Sequence, residues 1–342
     1  MTPLDQIILP ATVSHLGPFK IFAYPTRLSE AWQASLQEIH IPAYTVDRPA
    51  LTLTLIEGSS EDVQPPYTLK ANSNNWLKKF IKETQRKYYP GLDLGDSYCL
   101  DARYETDKNI AHILKNIAPG LMTVKSRCPQ ISEITVILKE NASQMAQNAY
   151  HLLGFPVLCT NQIIKGKLIQ APTGRFGQYE NFYPELFGSH PIPRYQEDTP
   201  KRIFISRRGN RRLLNETEIE GVLTQYGFQK LYYEDISIPE QWSCTKNAEV
   251  VVALHGAAMA SLVFNQRGVK VIELFHPGYV TSAFRTMTTA VGGRWCGITG
   301  QITPDVIEQL DYKQRARHFA AAPTRIDPQC LEKALAELDI SP

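Results

Sequence analysis

The chain has 342 residues, 43% of them apolar and 20% charged, with a formal net charge of +2. That length accommodates two domains with separate cores. The near-neutral balance excludes a protein drawn as a whole onto nucleic acid or an anionic membrane, and no run approaches the roughly 18 apolar residues of a membrane span.

In chain order, the first stretch, MTPLDQIILPATVSHLG, lacks the basic start and long apolar centre of a secretion signal. Six cysteines (99, 128, 159, 244, 296 and 330) lie apart with no C-x-x-C spacing, which suggests reduced thiols rather than a disulfide framework or a zinc site. Both features lead us to expect a cytoplasmic protein. Residues 1 to 66 mix short apolar runs with prolines, and Leu51 to Ile56 alternates as an exposed edge strand would. Asn72 to Tyr89 reads as a loop and a basic helix, with a face from Lys78 to Lys87 that is solvated or touches a membrane peripherally. Next, Gly91 to Leu121 ends in a helix from about Asn109 to Ile117, stopped by Pro119-Gly120. Asp107, Asn109 and His112 lie within helical reach of one another near its amino end. Ile134 to Leu138, Ala142 to Leu153 and Gly154-Phe155-Pro156 form a strand, a helix and a turn. A strand from Leu168 to Pro172 leads into a loop, residues 171 to 194, rich in Gly, Pro and aromatics. Its composition marks an interdomain link, on which Arg175 and Tyr179 are candidates to touch an acceptor.

The most informative stretch runs from Arg202 to Phe275. A β-branched strand, Ile203 to Arg207, delivers Arg207 and Arg208 into a loop. Asn215 caps the next helix, with Glu218 three residues on to close a capping box. Ile219, Val222, Leu223 and Tyr226 recur at helical spacing, and Gly227 supplies a left-handed stop. Phe228 to Tyr233 is a second strand, and Pro239 opens a helix with Gln241 in its first turn. Val250 to Leu254 is a continuous apolar run, as expected of a strand buried on both faces. It breaks at His255-Gly256-Ala257 and becomes a small-residue helix through about Phe264. The strand from Val269 to Leu274 carries Glu273 near its carboxyl end. Strand and helix alternate, which predicts a parallel α/β layer. Ligands of such sheets bind at the carboxyl ends of the strands, where Arg207, His255 and Glu273 all fall. The segment from His276 to Gly300 fits a helix, a Gly292-Gly293 stop and a closing strand, with Ser282 and Arg285 on it. Two amphipathic helices, about Pro304 to Phe319 and Pro328 to Leu338, end the chain.

The ordered set ISRR, Asn215-Glu216, Glu240-Gln241, His255 to Ala257 and Ile272 to Leu274 resembles glycosyltransferase family 61, and among its members the bacterial proteins of capsular polysaccharide type. The resemblance covers about a hundred residues well and the upstream chain more weakly. Upstream, His112 and Pro119 match a motif of that family, whereas Ile113 stands where tryptophan is usual and Asn116 where an acid is usual. The resemblance implies a GT-B-like α/β architecture, two Rossmann-like lobes facing a central cleft. The boundaries expected are an acceptor-side lobe over 1–190, a donor lobe over 191–320 and a C-terminal helix over 321–342, whose apolar stripe suits a return to the first lobe or, the reading favoured, packing into a core. It also implies an inverting, metal-independent glycosyltransferase that takes a nucleotide sugar, by family weight UDP-linked.

Such a transfer must stabilise a departing pyrophosphate and deprotonate an acceptor hydroxyl. The sequence has no D-x-D, only Asp93 and Asp96 at the wrong spacing, so fixed cations and backbone donors are expected in place of a metal or other cofactor. Arg207 and Arg208 suit phosphate oxygens, and backbone amides after His255, at Gly256 and Ala257, suit an anion. Glu273 suits ribose hydroxyls, and Gln241 completes the donor set. His112 is the expected base, with Asp107 and Glu105 as the runners-up for that role. Asn215 and Glu216 have structural roles, with Glu216 placed to orient an arginine. The expected partners are the nucleotide sugar, a glycan or glycolipid acceptor and a polysaccharide-assembly or peripheral membrane contact. The competing readings are a non-catalytic GT-B-like pseudoenzyme that binds a glycan or a partner transferase, and an RNA- or DNA-binding arm at Arg207 to Arg212. Against the arm stand the near-neutral charge and the lack of interleaved aromatics.

Overall fold

The computed structural model describes residues 2–29, 32–60, 91–171, 178–309 and 316–342. The basic helix expected over Asn72 to Tyr89 and the linker residue Arg175 lie outside those residues. The chain divides into two compact units, residues 1–12 with 48–179 and residues 13–47 with 180–342. The boundaries therefore differ from the expected 1–190 and 191–320, because an early segment of the chain folds into the second unit.

Strands are numbered along the chain. Before the first long helix they are β1 (Thr2–Leu9), β2 (Thr12–Leu16), β3 (Phe19–Ala23), β4 (Thr26–Ser29), β5 (Trp32–Ala34), β6 (Gln37–Ile41), β7 (Tyr44–Arg48), β8 (Leu51–Ser59) and β9 (Leu92–Asp101). β10 (Ile134–Leu138), β11 (Val157–Cys159) and β12 (Ile164–Gln170) complete the first unit. Its sheet runs β1-β8-β12-β9-β10-β11. β9, β10, β11 and β12 are parallel to their neighbours within that set, while β8 is antiparallel to both β1 and β12. Leu51 to Ile56 is thus an interior strand and not the edge its alternation suggested. One face of it is buried by Leu51, Leu53 and Leu55, and the period of two reports that face alone. Only the β9–β12 half of this sheet is Rossmann-like.

The helix after β9 is longer than its sequence suggested. α1 (Ile110–His112) continues through a π-helical turn, Ile113–Ile117, into α2 (Ala118–Arg127). Asn109 caps it by accepting from the Ala111 N–H at 3.0 Å. Pro119 cannot donate to the carbonyl four residues back, and in an α-helix its ring would strike that carbonyl. The wider π turn, in which the Ala118 N–H reaches the Ile113 carbonyl, removes the conflict. Gly120 is also not a stop. A Cβ there would lie 2.9 Å from the Ala171 Cβ, so the glycine permits close approach of two backbones. We expect Gly120→Ala to destabilise the first unit by about 1–3 kcal/mol through overpacking, which thermal unfolding would register as a Tm lowered by several degrees.

The second unit holds β13 (Arg202–Ser206), β14 (Gln229–Tyr232), β15 (Val250–Leu254), β16 (Lys270–Phe275) and β17 (Arg294–Thr299). The sheet order is β14-β13-β15-β16-β17-β3-β6, parallel from β14 through β3 and antiparallel at β6. The remaining helices are α3 (Gln144–Leu152) in the first unit and, in the second, α4 (Tyr183–Phe187), α5 (Glu216–Gln225), α6 (Ile238–Asn247), α7 (Ala283–Ala290), α8 (Pro304–Gln309) and α9 (Pro328–Glu337). All five residues of β15 are buried, as a central strand covered on both faces requires. α9 packs on β3, β17 and α5, and its Leu331, Ala334, Leu335 and Leu338 join the core of the same unit. Among the described residues, no helix is long and apolar enough to cross a membrane.

Candidate functional site

Five successive strands of the second sheet are ordered second, first, third, fourth, fifth. The direction of winding reverses between the first and the third, β13 and β15, and a crevice opens at such a switch point beyond the carboxyl ends of the strands. Arg207 leaves β13 at this point and His255 leaves β15. A Cβ built on Gly256 would lie 2.7 Å from Arg207 Nη1 and 3.7 Å from Arg211 Nη1, so two guanidinium groups converge on one glycine. Arg211 Nη1 donates to the His255 carbonyl at 3.0 Å, and its Nε donates to the Ala320 carbonyl. The guanidinium also lies 5.5 Å from the centre of the Tyr279 ring.

The loop that carries these arginines is held at several points. Arg211 has a φ of 61°, in the left-handed region that side chains rarely adopt, and its N–H bonds to the Ala321 carbonyl. Leu214 and Thr324 bond through the backbone, as do Thr324 and Arg212. Burial pushes the Arg211 guanidinium below its ordinary range, and the positive charge of Arg207 adds to the shift. Two cations so close repel, and an anion placed between them would relieve that repulsion. Arg207 has a weak counter-ion in Glu234, 3.9 Å from its Nε. The helix beginning at Ala257 is 3₁₀ and runs to Phe264. Its first N–H groups have no acceptor within the helix, and Ala257 stands at that end, as expected.

We expect Gly256→Ala to leave stability almost unchanged, because the clash falls on the mobile tip of Arg207 and the φ of 171° suits any residue. It should weaken anion binding several-fold, which titration calorimetry with pyrophosphate would measure.

Behind the arginines, His255 Nδ1 lies 2.6 Å from Glu273 Oε1, and Trp295 Nε1 donates to Glu273 Oε2 at 2.9 Å. Glu273 is 0% exposed. Both carboxylate oxygens face inward, so Glu273 orients His255 and does not present itself for a ribose. The His255 ring stacks on Phe275 with centres 5.4 Å apart and also meets Tyr279 and Phe284.

Other expected donor residues lie elsewhere. Arg208 turns to the β14 side, where it pairs with Asp235 at 2.6 Å and covers the Tyr232 ring at 4.3 Å. The Gln241 amide donates to the carbonyls of Tyr233 and Ile236 at 2.7 and 3.0 Å, tying the β14–α6 loop to its helix. Asn215 does not close a capping box. Its amide donates to Glu218 and to the Ile326 carbonyl, both at 2.7 Å, and its oxygen accepts from the Ile326 N–H at 3.1 Å. That long-range pairing takes the side chain away from the helix N–H groups. Glu216 accepts from Ser206 Oγ and from the Tyr232 hydroxyl, fastening α5 to the ends of β13 and β14. Arg211 was hidden among four arginines of RRGNRR, and only its left-handed backbone, which turns the side chain toward His255, sets it apart.

In the first unit His112 Nδ1 lies 2.8 Å from Glu105 Oε1, and Asn116 Nδ2 donates to Glu105 Oε2 at 3.0 Å. The Thr106 N–H also donates to Oε1, at 2.9 Å. Burial pushes the Glu105 carboxyl up, yet the hydrogen bonds from His112, Thr106 and Asn116 outweigh it and hold the group below the ordinary carboxylate range. Asp107 points elsewhere. Its carboxylate accepts from the Ser143 N–H at 2.5 Å, and its carbonyl accepts from Ser143 Oγ, which locks the start of α3. The carboxylate beside His112 is therefore Glu105 and not Asp107. Tyr179, a candidate acceptor contact, is 2% exposed and belongs to the core.

Residues 110–272, which include His112, His255 and the arginine loop, match the model of a protein family described as Glycosyltransferase 61. A stretch of 92 residues, 27% of this chain, is 29% identical to a β-1,2-xylosyltransferase of Oryza sativa subsp. japonica. The match spans about 15% of the rice protein's length. The part of the chain that carries His112, His255 and the arginine loop, though neither Glu105 nor Glu273, is thus similar to glycosyltransferase family 61.

Proposed function

We propose that this protein is an inverting glycosyltransferase of the GT-B type that moves a sugar from a nucleotide-sugar donor, UDP-linked, to a hydroxyl of a surface or capsular glycan. The observation that carries this reading is the convergence of Arg207 and Arg211 on Gly256 at the switch point of the second sheet. A departing diphosphate needs such a pair of guanidinium forks, and Arg211 is already held in place by the carbonyls of His255 and Ala320. The family match and the rice relative support sugar transfer as the chemistry. The name of that relative makes a pentose such as xylose the first donor sugar to try. On this reading the arginines also do the work that a metal does elsewhere, His255 lines the donor site, and His112 takes the acceptor proton. The protein acts in the cytoplasm, as a soluble enzyme or at the inner membrane face.

Asn116, standing where the resemblance places an acid, favours a second reading, a pseudoenzyme that binds a glycan or a partner transferase. A thermal-shift screen of UDP, GDP, CMP and their sugars, with and without EDTA, tests the donor site. Stabilisation by one nucleotide class that EDTA leaves untouched is the expected result. No shift from any of them contradicts a donor site and leaves the pseudoenzyme.

A further inference from the structure

The carboxyl group of Glu273 is 0% exposed, and among the described residues its partners are the His255 ring, 2.6 Å away, and the indole N–H of Trp295 at 2.9 Å. The indole is neutral, so His255 is the one described group in ion-pair reach that can balance the acid. A carboxylate sealed from water without a counter-charge is costly. The pair is therefore neutral as a whole and holds one proton between Oε1 and Nδ1. Wherever that proton rests, the outer nitrogen of the ring bears a hydrogen. An imidazolium has one on each nitrogen, and a neutral ring that accepts at Nδ1 keeps its own on Nε2. No hydrogen bond from the described residues reaches Nε2, it is not among their buried unpaired atoms, and the side chain is 10% exposed.

His255 borders the same small cavity as Arg211, at the carboxyl ends of β15 and β16. Tyr279 is a wall common to both. Its ring meets the imidazole edge-on with centres 5.4 Å apart and lies 5.5 Å from the guanidinium. The polar side chains around the cavity are those of Arg211, His255, His276, Tyr279 and Thr324. Each can donate a hydrogen bond, and no carboxylate is among them. Resting on the diphosphate site proposed above, we propose that His255 is a third donor to the diphosphate, its Nε2–H bonding a phosphate oxygen beside Arg211. Glu273 touches no ligand and acts as the positioning residue that holds the hydrogen on Nε2. Phe275 and Phe284 pack around the ring, so the bond forms in apolar surroundings, where it is stronger than in water.

Nitrogen-15 NMR of the histidine rings at about pH 8, where an ordinary histidine is neutral, tests the assignment without requiring activity. The His255 signals are identified by their loss in His255→Asn and His255→Gln. The wild type should show hydrogen on Nε2. Glu273→Gln should show it there too, because the indole N–H of Trp295 holds the amide oxygen and turns the amide N–H toward Nδ1. His255→Asn keeps an N–H for Glu273 but has nothing in the place of Nε2. Its affinity for inorganic pyrophosphate, measured by titration calorimetry on protein shown to be folded by thermal unfolding, should fall about tenfold with the loss of a charge-assisted hydrogen bond. A lone pair on Nε2 in the wild type overturns the proposal. So does a folded His255→Asn that binds pyrophosphate like the wild type, and if Arg211→Ala still loses affinity the diphosphate site itself stands. A wild type that binds no pyrophosphate overturns both. If spectrum and affinities are as expected yet no nucleotide sugar is turned over, the transferase reading fails and His255 remains an anion donor.

Discussion

Arg211→Ala is expected to lower the affinity for a nucleoside diphosphate by about 10- to 100-fold. A hydrogen bond to a charged group contributes about 1.5–3 kcal/mol, and tenfold in affinity corresponds to about 1.4 kcal/mol. The guanidinium is half-buried and already fixed by the carbonyls of His255 and Ala320, so little side-chain entropy remains to be lost on binding. Arg211→Lys should recover only a small part, since an ammonium keeps the charge but not the fork. Arg208→Ala is the matched control. Its guanidinium is paired with Asp235 and its side chain is 62% exposed, so affinity should change less than twofold. Titration calorimetry with UDP separates the two arginines. Equal losses at 208 and 211 would mean that general positive charge, and not the convergence on Gly256, holds the ligand.

Glu273→Ala is expected to destabilise the second unit by about 3–5 kcal/mol, the magnitude associated with breaking a buried, hydrogen-bonded pair. The carboxylate is inaccessible to water and accepts from His255 and Trp295. Deleting it leaves the indole N–H and an imidazole nitrogen without partners, at about 1–3 kcal/mol each, and opens a cavity in a packed layer. Glu273→Gln should fall between, because an amide accepts from one neighbour but turns N–H groups toward the other. Urea unfolding followed by tryptophan fluorescence would show a lowered midpoint with an unchanged m-value. Wild-type stability in the alanine variant would refute the buried dyad.

Much of the second unit was readable from sequence because its strands are central and parallel. Val250 to Leu254 has no polar residue to interrupt it, and Gly227 takes the expected left-handed turn with a φ of 72°. The pairing of β3 with β17 joins segments from opposite ends of the chain. No local pattern announces a pairing of that kind. β9 escaped notice because Asp93, Gly95 and Asp96 break its alternation; its register with β12 bulges between Asp93 and Tyr98, and regular pairing on both sides resumes from Tyr98. Pro119-Gly120 looked like a stop because local propensity knows nothing of a π turn or of Ala171.

At the site, the carboxyl-edge rule found Arg207, His255 and Glu273, since the end of a strand places a residue whatever its side chain then does. Direction was not readable. Glu273 points inward and Arg208 outward, and each is decided by a tertiary partner, Trp295 and Asp235 respectively. Glu105 beside His112 likewise depends on the fold of the 102–109 turn. By spacing alone Asp107 is the nearer acid.

The most direct measurement is release of nucleoside diphosphate from a panel of UDP-, GDP- and CMP-sugars by the purified protein in EDTA, followed by the same assay with His112→Ala and Arg211→Ala. A transferase of the kind proposed hydrolyses one donor slowly to the free sugar without an acceptor. EDTA should not slow it, and both substitutions should reduce it tenfold or more. Release from no donor, or release that ignores both substitutions, would contradict the account.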